Sequence, residues 1–218
     1  RMKYPPKNSK GIIILSGGMD SVTLLHHLVK TLECDVHAVS FDYGQKHAKE
    51  IACARYQCDQ LNVPHQVIDL PFVGDLFQSV VLTTGGDIPE GHYEAENMKQ
   101  TVVPNRNMIM MSIAVGYGCS IGAEWLAIGA HAGDHTIYPD CRAEFIDAFR
   151  QAVELCDWHP FTVYAPFQEL DKTGILNIGM PLDVDYDHTW TCYKGLDEPC
   201  GKCGSCVERG EAFNNMSS

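Results

Sequence analysis

The sequence predicts an α/β protein: a doubly wound, mainly parallel, Rossmann-like sheet of five strands with a cysteine-rich appendage after it. Three observations carry this. Short β-branched runs alternate with segments of helical period, the pattern of a parallel sheet covered on both faces. A Gly-Gly turn joins the first apolar run to the first helix. After about Asp183 apolar periodicity stops, and the chain becomes rich in Cys and Gly. The expected division is residues 10–183 for the α/β unit and 184–213 for the appendage.

The elements follow in order. "GIIIL" (Gly11 to Leu15) is a short buried strand. "MDSVTLLHHLVKTL" is a helix, with Val22, Leu25, Val29 and Leu32 at three- and four-residue spacing. "DVHAVSF" is the second strand, closed by "DYG". "QKHAKEIACARYQCDQLN" is a wetter helix with Ile51, Ala54 and Cys58 inward, and "HQVIDL" is the third strand. Residues from about Thr83 to Thr101 form a polar, Gly-containing loop long enough to serve as a lid. A buried helix starts near Asn105, after Pro104. "WLAIGA" is the fourth strand and "HAGDHTIYPD" a loop. "CRAEFIDAFRQAVELC" is an amphipathic helix with Phe145, Phe149 and Val153 on one face. "FTVYAP" is the fifth strand, and "DKTGILNIGM" the helix after it. Ligands of such sheets bind beyond the carboxyl ends of the strands. "SGGMDS", "DYG", "HAGDHTIYPDCR" and "APFQELDK" all follow strands, so they converge on one edge.

Composition narrows the function. The chain has 218 residues, enough for one α/β domain and an appendage. It carries 16 Lys+Arg against 28 Asp+Glu, net −12, with no basic run, which counts against a nucleic-acid partner. The apolar stretch from Met108 to Ala130 is interrupted by Glu124 and by Gly116, Gly118 and Gly122, so it reads as a buried helix running into a buried strand rather than a membrane span. The opening residues "RMKYPPKNSK" contain no apolar core of a secretory signal. A cytoplasmic location is expected, where ten cysteines point to thiol or metal chemistry rather than disulfides.

"LSGGMDS" (Leu15, Ser16, Gly17, Gly18, Met19, Asp20, Ser21) has the glycines of a phosphate loop without the Gly-Lys-Ser/Thr ending of a mononucleotide P-loop. Gly17 and Gly18 let successive N–H groups point at one anion, and the helix N-terminus behind them adds its dipole. Asp20 would repel a phosphate unless Mg2+ lay between them. The alternative is an ordinary strand–turn–helix junction capped by Asp20 and Ser21.

Cys192, Cys200, Cys203 and Cys206, spaced C-x7-C-x2-C-x2-C, can complete a tetrahedral Zn2+ site. Four thiolates leave no open position, so the metal would be structural; two disulfides, scattered free thiols or an iron–sulfur cluster are the alternatives. The other cysteines (Cys34, Cys53, Cys58, Cys119, Cys141, Cys156) are scattered and read as small buried side chains. His131 and His135 have zincin spacing but lie in a loop with their acidic residue misplaced. In "GDHTIYPDCR", Asp134 and Asp140 can accept paired N–H groups from a purine-like edge, and Arg142 can clamp an anion; helix capping and a surface Arg are the alternatives. Arg106 in "PNRN" is a candidate for ATP phosphates, with Asn105 as a helix cap in the plainer reading. Lys172 in "ELDKTGI" begins a helix, where the plainer reading is a solvated side chain; placed at the strand ends it could neutralise charge developing on pyrophosphate.

Strand–SGGxDS–helix resembles the pyrophosphate loop (PP-loop) of the N-type ATP pyrophosphatases, whose fold is of the adenine nucleotide alpha-hydrolase type. "LSGGMDS", "FDYGQKH", "VPNRN", "GAHAGDHTIYPDCR", "DKTGI" and "TWTCYKGLDEPCGKCGSCVERGEAF" occur in that order and together resemble the 7-cyano-7-deazaguanine synthase family of queuosine biosynthesis, over about Lys10 to Phe213. The resemblance implies an ATP- and Mg2+-dependent carbon–nitrogen ligase. Its substrates would be 7-carboxy-7-deazaguanine and ammonia. Adenylation of the carboxylate would give the amide, and a second activation would dehydrate it to the nitrile. It further implies that residues 15–21 hold the nucleotide, with Asp20, Lys172 and Arg106 catalytic and Asp134, Asp140 and Arg142 at the substrate. Cys192, Cys200, Cys203 and Cys206 would hold Zn2+, and the protein would be a homodimer. Rival readings are another ligase or tRNA-modifying enzyme with the same loop, and a nucleotide-binding zinc module without ligase activity.

Overall fold

A computed structural model describes residues 4–44, 48–76, 103–136, 138–194 and 196–216. The expected lid from Thr83 to Thr101, Gln45 to His47, and the side chain of His135 lie outside the described residues.

Five strands form one sheet: β1 (Lys10–Ile14), β2 (Asp35–Asp42), β3 (His65–Asp69), β4 (Trp125–Ala127) and β5 (Thr162–Tyr164). Their order is β3-β2-β1-β4-β5, and every pairing is parallel. The predicted doubly wound sheet is therefore the one observed. The fourth strand is shorter than expected: Trp125–Ala127 pair, and Ile128 to Ala130 continue as the loop that meets the site.

The helices are α1 (Met19–His26), α2 (Ala48–Leu61), α3 (Pro71–Leu76), α4 (Arg106–Ser120), α5 (Ala143–Val153), α6 (Lys172–Gly179) and α7 (Gly204–Met216). The α-helical ladder of α1 ends at His26, and a π-type turn over His27–Thr31 completes the predicted length. The segment expected as plain loop after β4 contains two 3-10 turns, Ala132–Thr136 and Pro139–Cys141. In α5, Ile146, Phe149 and Val153 are the buried stripe; Phe145 lies at its margin.

Alternating strand side chains feed two cores. Ile12, Val39 and Leu126 pack with α4 and α5 on one face; Ile13, Ala38 and Ala127 pack with α1, α2 and α6 on the other. Gly11 is needed where the sheet is tightest, because a Cβ there would lie 2.0 Å from the ring of the fully buried Trp125. The cysteine-rich segment has only a small cluster of its own among the described residues, Cys192 and Cys203 with Trp190, Tyr193, Cys200 and Cys206. It is pinned to the α/β unit through Tyr186 and Ala212, which pack on Met19 and Leu176, and through Gln57, whose side-chain amide donates to the carbonyls of Asp185 and His188.

Candidate functional site

β1 lies between β2 and β4, so the chain winds outward in both directions from it, and ligands bind such sheets where the order reverses. A cavity of about 260 Å3 opens there, beyond the carboxyl ends of β1 and β4. The "SGGMDS" turn, Gly129 to His131 with Asp134, and Arg106 with Tyr43 and Tyr138 all line it.

The glycine turn is built from its own hydroxyls. Ser21 Oγ accepts the Ser16 N–H at 3.1 Å and lies 3.0 Å from Ser16 Oγ, which accepts the Gly18 N–H at 3.2 Å. Gly17 has φ +85°, and a Cβ there would lie 2.0 Å from the Glu50 carbonyl oxygen, so the turn demands glycine. Gly18 is the N-cap of α1 and no side chain caps the helix. The capping alternative for Asp20 and Ser21 therefore fails: Ser21 braces the turn and Asp20 serves elsewhere.

Asp20 belongs to a charge cluster. Its Oδ2 lies 2.8 Å from Lys172 Nζ and 3.4 Å from His131 Nε2, while Oδ1 is buried with no hydrogen-bond partner. Burial pushes the Asp20 carboxyl up, but the Lys172 ammonium and the neighbouring His131 outweigh it, so the acid stays below its ordinary range. Lys172, 6% exposed, is held above the ordinary lysine range: burial opposes its charge, and Asp20 and Glu208 overcome that. His131 is 1% exposed, and its Nδ1 accepts the Gly133 N–H at 3.0 Å. In the neutral ring the proton is thereby placed on Nε2, facing Asp20 at 3.4 Å and Asp134 Oδ1 at 3.6 Å. Glu208, from α7, reaches Lys172 at 3.5 Å.

The setting of Arg106 differs. Arg106 donates to Tyr43 Oη at 3.1 Å and lies 5.9 Å and 5.7 Å from the ring centres of Tyr43 and Tyr138. Burial works against its charge, but Tyr43, Tyr138, Cys141 and Tyr193 outweigh it, and its pKa lies above the ordinary arginine value. Among the described residues no carboxylate pairs with it. Cys141 sits beside it, and burial together with Asp134 and Asp140 raises its thiol well above the ordinary value. It remains a neutral thiol that accepts a hydrogen bond from the Asn107 side-chain amide at 2.7 Å.

Of the candidates read from sequence, Leu15, Ser16, Gly18, Asp20, Ser21, Arg106, Asp134 and Lys172 line this cavity; Gly17 and Met19 do not, Gly17 shaping the turn and Met19 being fully buried against Leu176, Tyr186 and Ala212. Asp140 and Arg142 do not line the cavity either. Asp140 Oδ2 accepts the Asn107 N–H at 2.8 Å and so caps α4, the task expected of Asn105, which takes a left-handed conformation (φ 59°) without capping through its side chain. Arg142 is exposed at the N-cap of α5. Sequence reading missed His131 as a partner of Asp20, having weighed it only as a metal ligand. It also missed Glu208 and the Tyr43–Tyr138–Tyr193 surround of Arg106. The tyrosines stand inside the strand-following motifs or the cysteine segment, which was the available signal; Glu208 had none beyond its neighbourhood to Cys206.

The four cysteines converge as expected. The Sγ atoms of Cys192, Cys200, Cys203 and Cys206 lie within 4.8 Å of one another, a group able to hold a metal ion. Backbone N–H groups of Lys202 and Cys203 donate to Cys200 Sγ at 3.4 and 3.3 Å, and that of Cys200 to Cys192 Sγ at 3.4 Å. Among the described residues no helix is long and apolar enough to cross a membrane.

Comparison with known proteins adds to this geometry. The family described as queuosine biosynthesis protein QueC matches residues 10–217. The 7-cyano-7-deazaguanine synthase 2 of Colwellia psychrerythraea is 53% identical over 210 residues, covering 95% of each chain. Among solved structures, the U34-tRNA thiolase NcsA from Methanococcus maripaludis with its [4Fe-4S] cluster has a TM-score of 0.54 at 15% identity, over 97% of this chain and 66% of that one. NMN synthetase from Francisella tularensis has a TM-score of 0.53 at 16% identity, over 99% and 79%. These two likenesses are of fold.

Proposed function

Because the chain belongs to the queuosine biosynthesis protein QueC family, we propose that it is an ATP-dependent carbon–nitrogen ligase that makes 7-cyano-7-deazaguanine from 7-carboxy-7-deazaguanine and ammonia. The observation that carries this reading is one cavity lined by two cations in different surroundings: Lys172 beside the glycine turn and Asp20, and Arg106, which among the described residues has no carboxylate partner; we read them as two places for anions. A substrate acid at the Arg106 end would face the α-phosphate of ATP held at the loop.

The chemistry then follows from charge. A carboxylate resists ammonia because it is anionic and its oxygen leaves poorly. Transfer to AMP removes both obstacles, and the departing pyrophosphate meets the loop N–H groups, the α1 N-terminus and Lys172, all fixed before the reaction. Ammonia displaces AMP to give the amide. A second adenylation, on the amide oxygen, lets AMP leave with that oxygen while the nitrogen gives up its two protons, forming the nitrile. Arg106 orients the acid, with Tyr43 fixing the guanidinium. Asp134 serves the substrate at the cavity wall, whereas Asp140 and Arg142 act through α4 and the surface near the start of α5.

Mg2+ fits the nucleotide end, since the unpartnered, buried Oδ1 of Asp20 is a hard oxygen ligand. When bound it would shield the phosphates from the Asp20 charge. Zn2+ fits the four cysteines: a tetrahedron with Zn–S of about 2.3 Å places sulfurs roughly 3.8 Å apart, compatible with the observed cluster. A four-iron cube spreads its thiolates one per iron and calls for a wider set. With all four positions filled by the protein, the zinc is structural. Net −12 supports a small-molecule substrate rather than tRNA. We assign residues 10–183 to catalysis, 184–213 to the zinc segment, a cytoplasmic location and a homodimeric state as parts of the same reading.

The test is mass spectrometry of a reaction of the zinc-loaded protein with Mg-ATP, ammonia and 7-carboxy-7-deazaguanine. The expected products are the nitrile, AMP and pyrophosphate. A folded, zinc-loaded sample that forms neither nitrile nor AMP would overturn the assignment.

A further inference from the structure

The metal-holding cysteines and the nucleotide loop are separate in sequence but share neighbours. Two stretches of the cysteine-rich segment touch the site, and each is adjacent to metal ligands. Just before Cys192, the Trp190 N–H donates to the Gly17 carbonyl at 2.9 Å, and a Cβ on Gly18 would lie 3.5 Å from Thr191. Trp190, Thr191 and Tyr193 line the cavity. Around Cys206, Ser205 also lines it, and Glu208 lies 3.5 Å from Lys172 Nζ. Glu208 also packs against Gly133, where a Cβ would lie 2.6 Å from its Oε1; the Gly133 N–H is the donor that fixes His131.

The metal would therefore cross-link the two stretches that hold the glycine turn and Lys172. Apart from the segment's contacts with the α/β unit, the cluster that keeps them in register is centred on the cysteines themselves: Cys192 and Cys203 with Trp190, Tyr193, Cys200 and Cys206. We propose that the four-cysteine centre and the nucleotide site are energetically coupled, with Glu208 as the positioning residue that transmits the coupling by holding Lys172 beside Asp20. The proposal rests on the reading of this cavity as an ATP site. Coupling of this kind is reciprocal: if the metal tightens nucleotide binding, the nucleotide tightens metal retention by the same factor.

The experiment uses the zinc-loaded full chain. Mg-ATP affinity is measured first by calorimetry without the acid substrate. Zinc affinity is then measured by equilibrium competition with a chromogenic chelator, with and without saturating Mg-ATP, in wild type and in Glu208→Gln. The expected result is zinc affinity raised about tenfold by Mg-ATP in wild type, a typical coupling factor. In Glu208→Gln the nucleotide-free affinity should match wild type, and the gain should shrink to threefold or less. If the zinc-loaded wild type binds no ATP, the functional reading fails. If it binds ATP but its zinc affinity is unchanged, the coupling fails while that reading stands. If Glu208→Gln keeps the full gain, or binds zinc more weakly without nucleotide, Glu208 is not the transmitting residue.

Discussion

Lys172 and Arg106 line the same cavity, yet their surroundings differ in kind. Lys172 is held between Asp20 at 2.8 Å and Glu208 at 3.5 Å, with His131 completing the cluster. Arg106 is surrounded by phenols and a neutral thiol. A buried cation without a counterion is costly, and a site retains one where a ligand supplies the opposite charge. Lys172 is thus neutralised by carboxylates of the chain, and in the proposed reading a cation on Asp20 would open that end to phosphate. Among the described residues Arg106 has no such partner, and in the same reading the substrate acid would supply it.

The largest effect should come from breaking the neutralised end. Asp20→Ala is expected to cut acid-dependent ATP–pyrophosphate exchange by at least about 10^3-fold, the scale of losing a preorganised charge-stabilising group. Zinc content by elemental analysis should stay at one per chain, since Asp20 is not a member of the four-cysteine group. Near-normal exchange in this variant would remove the loop from the mechanism.

Arg106→Met should break the other end selectively. A charge-assisted contact to the acid contributes about 1.5–3 kcal/mol. The KM for 7-carboxy-7-deazaguanine should therefore rise about 10- to 150-fold, with Mg-ATP affinity changed less than about twofold. Equal losses for both substrates, measured by exchange kinetics and calorimetry, would mean that Arg106 serves the phosphates instead.

A smaller effect tests the neutralised end by pH. Asp20 titrates below the ordinary carboxylate range in the folded chain, so its contribution to stability is present above about pH 4 and is lost as pH falls through the lower folded value. Lys172 is shifted up, so its contribution is present below about pH 10 and is lost only as pH rises through its higher folded value. Asp20→Asn should lower the Tm at pH 7, and the gap to wild type should narrow below pH 4. A gap that stays constant down to pH 3 would show that the pair does not stabilise the fold.

How far these two ends could be seen in advance differs as well. The sheet, the glycine turn and the four cysteines were legible because each is written locally: an apolar run, a pair of glycines, a Cys-x-x-Cys spacing. The Arg106 surround was only half legible. Arg106 could be picked out in "PNRN", but Tyr43, Tyr138 and Tyr193 meet it from three separate stretches that only tertiary packing brings together. Asp140 shows the opposite failure: an acid in a promising loop proved to cap a helix distant in sequence, because α4 begins at the left-handed Asn105 and its N–H groups need an acceptor from elsewhere. The acceptor of a helix end is readable when it is local and unreadable when another element supplies it.

The smallest expected effect tests whether Arg106 truly lacks a protein counterion. A Cys141 thiolate would neutralise it and leave no need for a substrate anion. Burial and the carboxylates of Asp134 and Asp140 hold Cys141 as the thiol, with Arg106 and the Asn107 amide too weak to reverse them. Iodoacetamide at pH 8 should therefore label the exposed Cys156 readily and leave Cys141 almost untouched, read by peptide mass spectrometry after quenching. Cys141→Ser should change the KM for the acid by no more than about twofold, because a neutral group replaces a neutral group. Rapid labelling of Cys141, or a KM change as large as that of Arg106→Met, would put a thiolate beside Arg106 and make the two ends of the cavity alike: each cation with its own anion, and the substrate acid left to be recognised elsewhere.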